Sequence, residues 1–301
     1  MKRFLRKAYA AIPFKQPVFE LLRKHVDLPM CIYQHLHFRG VFKVRIDEQS
    51  SFRLHSYGDI VENELFWSGF NGVWEAKSLQ AWRMLVGTVK GSILDVGANT
   101  GVYSIAAAAL NPSAQIIAFE PVTRIADRLE ANAELNGRAI RIVRAAVSDR
   151  TGIATIYDST EANNYTASLE PAYNPAATQQ YDVPILRLDD FLAKNGDIST
   201  VELIKLDIET HEAAALAGMQ QLLRRNLPAI IVEILDEAVA NAVQQQIEKL
   251  NFRIFGIDET HGLRPLQQLQ PMGDQNWNNL LCTAERFCSA GLARLLDVRA
   301  H

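Results

Sequence analysis

Ile93-Leu94-Asp95-Val96-Gly97-Ala98-Asn99-Thr100-Gly101 is the stretch on which the reading of this chain turns. Its first four residues make a short, buried-type strand. A turn with two glycines follows, and the alanine-rich run Val102 to Leu110 has the composition of a helix. Gly97 permits a tight turn and close approach by a ligand, and Gly101 lets the helix begin against the strand. The same rhythm then repeats. Gln115 to Phe119 reads as a second strand. Thr123 is expected to cap a helix running to Asn136, with Gly137 at its end. Ile140 to Ala146 reads as a third strand, Val201 to Ile208 as a fourth, His211 to Arg225 as a helix, Ala229 to Leu235 as a strand and Ala238 to Leu250 as a helix.

Alternating strands and helices with mostly apolar strands imply a parallel sheet covered on both faces. Phe252 to Ile257 and Asn279 to Ala284 are separated by a polar loop instead of a helix, which predicts an antiparallel pair at one edge. Thr155 to Tyr181 has little helical signal and contains Asn163-Asn164 and two prolines. Val183 to Leu186 looks like an extra strand, followed by a short helix near Asp189. Residues 1–90 read differently. Pro17 to Val26 is a short helix. Val41 to Ile46 and Phe52 to His55 alternate around the polar turn Asp47 to Ser51, a hairpin signal, and Glu75 to Val89 is a helix with Leu79, Trp82, Leu85 and Val86 on one stripe. The expected organisation is an N-terminal helix and hairpin extension over 1–90 and an α/β ligand-binding domain over 91–301.

The 301 residues are 48% hydrophobic and 22% charged, so a sizeable core can form. Net charge is −3 and the α/β part shows no basic stripe, which argues against a nucleic-acid partner. Cys31, Cys282 and Cys288 form no CxxC pair, and a reducing cytoplasm is the simpler setting. No run approaches the ~18 apolar residues of a membrane span. The basic start, with Lys2, Arg3, Arg6 and Lys7, reads as a solvated first helix.

In such a sheet ligands bind beyond the carboxyl ends of the strands, where the strand order reverses. The second strand ends in Glu120-Pro121, and a carboxylate there can accept hydrogen bonds from both hydroxyls of a ribose. A dinucleotide loop wants G-x-G-x-x-G facing a pyrophosphate. Here Asn99 stands in place of the middle glycine, and Asp95, two residues before Gly97, would repel a pyrophosphate. An acid there suits the ammonium and sulfonium of S-adenosylmethionine.

The run Ile93 to Ser104, the segment Ala118-Phe119-Glu120-Pro121, Asn132 to Gly137, Ala145-Ala146-Val147-Ser148-Asp149 and Leu203-Ile204-Lys205-Leu206-Asp207-Ile208-Glu209, in this order, resemble the motifs of the FkbM family of class I methyltransferases. The resemblance covers residues 90–285, roughly. It implies a seven-stranded Rossmann-like sheet, S-adenosylmethionine as methyl donor and, usually, O-methylation of a hydroxyl on a small-molecule or carbohydrate acceptor. By motif, Asp95, Gly97, Asn99 and Gly101 line the amino-acid half of the cofactor, Glu120 holds the ribose, and Ala146 and Val147, at the end of the third strand, flank the adenine. Residues 1–90 then serve as a lid or acceptor wall, with Tyr57, Trp67 and Trp74 as aromatic candidates for packing over the cofactor.

An alcohol acceptor must lose a proton, which calls for a base. Alternate residues of an extended segment share a face, so Lys205, Asp207 and Glu209 point one way and His211 continues the line. A strand this apolar does not carry three charges inward unless they pair or act. Glu233, amid Ile230 to Ile234, must also pair or face the site. Asp207, Glu209, His211 and Glu233 are therefore the catalytic candidates. Asp207-x-Glu209-x-His211 has metal-ligand chemistry too, but acids suit a helix start in any case, and no metal is expected. The family has glycine where this chain has Thr210, which is expected to cap the following helix instead. His261 and Trp277 read as surface or packing residues. Two other functions compete: a nicotinamide-dependent oxidoreductase, for which the dinucleotide loop is missing, and a non-catalytic binding module.

Overall fold

The computed structural model describes residues 14–72, 74–159, 167–170, 177–273 and 276–297. The basic residues Lys2 to Lys7, Asn163-Asn164 and the prolines of the polar stretch lie outside them. The chain opens with helix α1 (Lys15–His25), the short helix α2 (Met30–Tyr33), the antiparallel hairpin β1 (Gly40–Arg45) and β2 (Ser51–Ser56), and helices α3 (Ile60–Ser68) and α4 (Ala76–Val86). Then come β3 (Ser92–Val96), α5 (Val102–Leu110), β4 (Gln115–Phe119), α6 (Thr123–Leu135) and β5 (Ile140–Val143). A small sheet of β6 (Ala146–Ser148), β7 (Gly152–Asp158) and β8 (Gln179–Arg187) follows, with strand order β6-β8-β7. The chain continues through α7 (Leu188–Lys194), β9 (Val201–Leu206), α8 (Glu212–Ala217), α9 (Gln220–Asn226), β10 (Ala229–Glu233), α10 (Glu237–Ile247), β11 (Arg253–Asp258), β12 (Gly262–Leu266), β13 (Asn278–Cys282) and α11 (Ala284–Ser289).

The main sheet has the order β12-β11-β13-β10-β9-β3-β4-β5. The run β10-β9-β3-β4-β5 is parallel, while β13 pairs antiparallel with both β10 and β11. The Rossmann-like α/β class and the antiparallel edge are as expected. The sheet has eight strands, not seven, because β12 folds back on β11. Its signal was weak, since Arg264 and Pro265 are exposed.

The sheet is double-faced, and the period-2 alternation shows it. Ile93, Ile116, Leu203, Ile231 and Leu280 point into one apolar layer, with Trp82, Leu79 and the alanines of α5. Their neighbours Leu94, Ile117, Ile204, Ile230 and Leu281 point into the other, with Leu188, Leu216, Leu223 and Val243. The first layer also takes in Phe38, Phe42, Leu54 and Phe66, so residues before 90 share a core with the sheet. Strand β2 is docked by α6. Asn136 Oδ1 accepts from Arg53 N–H at 2.8 Å, and Asn132 Oδ1 accepts from His55 N–H at 2.8 Å. These side chains satisfy backbone donors of an edge strand, and Asn132 Nδ2 also donates to Thr100 O at 2.9 Å.

Several expected elements differ. The third strand stops at Val143, and Ala146 and Val147 belong to β6, which pairs with β8 in the small sheet. The His211–Arg225 helix is two helices broken at Gly218, because that backbone lies against β6. A Cβ there would sit 2.0 Å from Ser148 O. Thr123 caps nothing: the N-cap of α6 is Val122, whose N–H is held by Glu120. The polar stretch from Thr155 hides the β7–β8 pairing, since β8 alternates only weakly between buried and exposed positions. Among the described residues no helix is long and apolar enough to cross a membrane.

Gly101 has φ +94°, and a Cβ there would fall 2.3 Å from Leu129 Cδ1 of α6. Gly101→Ala is expected to lower stability by about 1–3 kcal/mol, read as the urea midpoint at unchanged slope. An unchanged midpoint would mean that α5 and α6 can separate freely.

Candidate functional site

The turn after β3 is shaped by the strands on either side. Gly97 N–H and Ala98 N–H both donate to Phe119 O at 3.0 Å. Gly97 has φ +82°, and a Cβ would lie 1.7 Å from Asp207 O, so no side chain fits. Asn99 takes a left-handed backbone (φ +51°) with Oδ1 accepting from Thr100 N–H at 2.8 Å. The Asn99 N–H donates to Glu120 Oε2 at 3.0 Å, and Val122 N–H donates to Glu120 Oε1 at 2.9 Å. One carboxylate at the end of β4 thus holds two loops and retains about half of its roughly four acceptor positions. Burial pushes its pKa up to about 7, against the pull of those two N–H groups. Asp95 is buried too, and Ser104 Oγ–H donates to it at 2.6 Å. Burial lifts its pKa to about 6.

Asp95, Gly97, Asn99, Glu120, Ala146, Val147, Asp207, Glu209 and His211 line one pocket, with Val61, Trp74, Tyr103 and Lys205. Gly101 stands behind it, at the start of α5. Glu233 is not on the wall. It sits behind Asp207 and Glu209, with Oε2 lacking a partner. Trp67 is away from the pocket, its indole N–H bound to Leu36 O at 3.2 Å, and Tyr57 lies under the Arg128 guanidinium. His261 pairs with Asp258, and Trp277 is partly exposed at the surface.

The charged centre is built on Lys205. Its ammonium is buried, donates to Asp207 Oδ2 at 2.8 Å and Asn278 Oδ1 at 3.0 Å, and stands 5.2 Å from the Tyr103 ring centroid. Burial alone would lower its pKa, but the carboxylates of Asp207, Glu75 and Glu233 together raise it. Tyr103 O–H in turn donates to Glu75 Oε2. Glu75, Tyr103, Ser104 and Asn278 were not singled out as functional by sequence. Tyr103 and Ser104 lay inside a quoted motif, whereas nothing in the sequence ties Glu75 to a lysine 130 positions later (205 − 75 = 130).

After β9 the chain bends sharply. Glu209 (φ +55°) and Thr210 (φ +79°) are both left-handed, so Thr210 occupies a conformation suited to the family's glycine. It does not cap α8, whose N-cap is His211, itself without a side-chain cap bond. The bend is tied down from outside: Ser168 O–H donates to Glu209 O at 2.8 Å. His211 Nε2 meets Ser148 Oγ at 2.9 Å and its Nδ1 meets Glu170 Oε1 at 3.2 Å. Burial, then the charges of Asp207 and Glu212, push Glu209 up to about 8. Among the described residues no group of three or more His, Cys, Asp or Glu side chains is arranged to hold a metal ion.

The family model described as "Methyltransferase FkbM domain" matches residues 95–254, more than half of the chain. A curated relative, the 31-O-demethyl-FK506 methyltransferase FkbM of Streptomyces tacrolimicus, is 28% identical over 170 residues, covering 48% of this chain and 65% of the relative. The hexuronic acid methyltransferase AglP of Haloferax volcanii is 27% identical over 140 residues, covering 46% of this chain and 54% of the relative. Each match thus spans less than two thirds of the relative's length. The crystal structure of methyltransferase FkbM from Methylobacillus flagellatus KT aligns with a TM-score of 0.40 at 14% identity, covering 65% of this chain and 45% of that one.

Two predictions follow from this geometry. Burial raises the folded-state pKa of Asp95 above 3.8, and those of Glu120, Glu212 and Glu209 above 4.5. The folded state therefore binds more protons than the unfolded state in this window, and stability falls as pH rises through about 6 to 8. The ligand-free melting temperature should be lower at about pH 8 than at about pH 5. A rise over that interval in scanning calorimetry would contradict it. Thr210→Gly should stabilise the protein by up to about 1 kcal/mol, because relief of left-handed strain outweighs the added freedom of the unfolded chain. A lowered melting temperature would show that Thr210 is not strained.

Proposed function

Because the chain belongs to the FkbM family of class I S-adenosylmethionine-dependent methyltransferases, we propose that it methylates a hydroxyl of a small molecule or sugar. The observation that carries this reading is the shared pocket of Asp95, Glu120, Asp207 and Glu209. It joins a nucleoside-type subsite to a group able to accept a proton. The relatives' names point the same way, one to a demethylated small molecule and the other to a hexuronic acid.

S-adenosylmethionine supplies an activated methyl group on a sulfonium, so the protein's task is alignment and proton removal. The donor set fits this cofactor. Glu120 has acceptor positions left for the ribose hydroxyls, and Asp95 offers a buried carboxylate to the cationic end. Ala146 and Val147 give an apolar flank for the adenine. Asp207, fixed by Lys205, orients the acceptor side, and Glu209 takes the hydroxyl proton. Its raised pKa suits a base working near neutral pH. His211 holds the Glu209 segment against β6 and residue 170. Glu233, behind them, adds negative charge that keeps Lys205 protonated. Residues 1–90 form the acceptor wall through Val61 and Trp74, and 91–301 form the catalytic domain.

S-adenosylhomocysteine should bind in calorimetry, and Glu120→Ala should weaken it by at least tenfold, since two ribose hydroxyls lose an acceptor. Glu209→Gln should leave that affinity intact and lower labelled methyl transfer by ~10²–10⁴-fold. Full-strength binding by Glu120→Ala would sink the donor site. Normal turnover by a folded Glu209→Gln protein would make Glu209 structural.

A further inference from the structure

Exposed large apolar side chains are not spread evenly over this protein. Among the described residues nine are exposed, and six of them, Phe14, Val18, Leu21, Val26, Met30 and Ile32, fall between positions 14 and 32. Ile60, Ile153 and Trp277 stand apart in the sequence. Single exposed apolar groups are ordinary, whereas a concentration of them marks a contact surface. Phe14, at the N-cap of α1, Val18 and Leu21 are spaced i, i+4, i+7, so they line one side of the helix, and they are 80%, 54% and 60% exposed. The helix itself is firmly seated. Phe19 and Leu22 pack into the core, and Gln16 Nε2–H donates to Val41 O at 2.6 Å. The Arg23 guanidinium donates to Phe66 O at 2.7 Å and stands 4.2 Å from the Phe66 ring centroid. The bare stripe is therefore a fixed feature of the surface.

Charge sets the same region apart. Residues 1–39 hold eight lysines and arginines against two acids, a net +6, which leaves −9 for residues 40–301 (−3 − 6 = −9). At about 100° per residue, Lys15 and Lys24 fall on either side of the apolar stripe. Burial and then the Arg39 charge lower the Lys15 pKa, so a second cation adjoins the start of the helix.

We propose that this face lies on an anionic membrane surface, with Phe14, Val18 and Leu21 entering the boundary between headgroups and acyl chains and Lys15, Lys24 and Arg39 meeting acidic headgroups. An apolar side flanked by basic groups is the pattern of a helix that lies in the plane of the interface. Lysine stems can run along the apolar layer while their ammonium groups stay among the headgroups. Lys2, Arg3, Arg6 and Lys7, just before the helix in sequence, add to the attraction. The same surface repels the acidic remainder of the chain, which turns the basic face toward the membrane. A second copy is a poorer occupant. An isologous contact would press two basic faces together, and a contact between the basic face and the acidic body would bury the apolar stripe against charge. The proposal does not depend on the chemistry of the pocket.

The test is co-sedimentation of the full chain with vesicles of phosphatidylcholine alone or of an equimolar mixture of phosphatidylcholine and phosphatidylglycerol. The mixed vesicles should bind the protein at least about tenfold more strongly at low salt, and raising the salt to about 0.5 M should remove most of that preference. Replacing two stripe residues together, Val18→Glu and Leu21→Glu, should weaken binding to the mixed vesicles by about tenfold or more, with the vesicle-free melting temperature and S-adenosylhomocysteine affinity unchanged. Lys24→Glu should weaken it by about fivefold, at low salt only. If the double variant does not fold, Leu21→Ser and Lys24→Glu carry the comparison. Absence of binding, equal binding to both vesicle types, or full-strength binding by the stripe variants would each overturn the membrane assignment. So would self-association in sedimentation velocity that the stripe variants abolish, which would give the face to a second copy. A lowered vesicle-free melting temperature of folded Leu21→Ser would show the stripe to be covered within the fold, and would overturn it too.

Discussion

Gly97 and the Asp207 carbonyl approach so closely that a Cβ on the glycine would lie 1.7 Å from the oxygen. This one backbone contact organises the site. It occurs where β3 and β9 emerge side by side from the sheet, with Asp207 N–H donating to Val96 O at 3.0 Å. Two segments far apart in the chain but adjacent in the sheet, one rich in glycine and one in carboxylates, are thereby brought to the same pocket. In a doubly wound sheet the strand order reverses at this point, which opens the crevice that ligands use. A larger residue at Gly97 would push the two segments apart and separate the donor end from the acceptor end.

Charge balance is the second constraint. Burying a lysine is expensive unless it is paired, and breaking such a pair costs about 3–5 kcal/mol. Lys205 is kept charged by the acids around it, and they in turn are restrained by it. Burial pushes the pKa values of Glu75 and Glu233 up, so these acids hold their protons more readily than exposed carboxyls do. A cation in the pocket favours the charged form of these acids, and a sulfonium donor carries one. Stability and ligand recognition are in this sense the same electrostatic problem.

The N-terminal residues are part of that solution. Glu75 receives the Tyr103 hydroxyl at the charged centre, and Glu259, from the far edge of the sheet, accepts from Lys77 N–H at 2.6 Å and so fixes the start of α4. Asn132 and Asn136 bind strand β2 on one side, and Asn132 binds the Thr100 carbonyl of the glycine turn on the other. The hairpin and the cofactor turn are thus linked through one helix. Val61 and Trp74 of the extension stand on the pocket wall itself.

The α/β class, the parallel core and the antiparallel edge were legible in the sequence, because apolar period and glycine position are local properties. So was the grouping of Asp95, Glu120, Asp207, Glu209 and His211, since ends of parallel strands share one edge of a sheet. What tertiary structure alone decided depends on contacts between distant residues. Ala146 and Val147 left the main sheet for β6 because β8 offered them a partner 39 residues on (185 − 146 = 39). Thr210 was forced into a left-handed backbone by the bend that Ser168 and His211 pin, so the capping role suggested by its hydroxyl was never available. Glu233 could be seen in sequence as a carboxylate in an apolar strand. That it stands behind the wall, one of several acids around a single committed lysine, is a fact about packing. Sequence specifies which groups must be buried. Only the folded chain specifies which charges then face one another, because Coulomb energy depends on separations that no local pattern encodes.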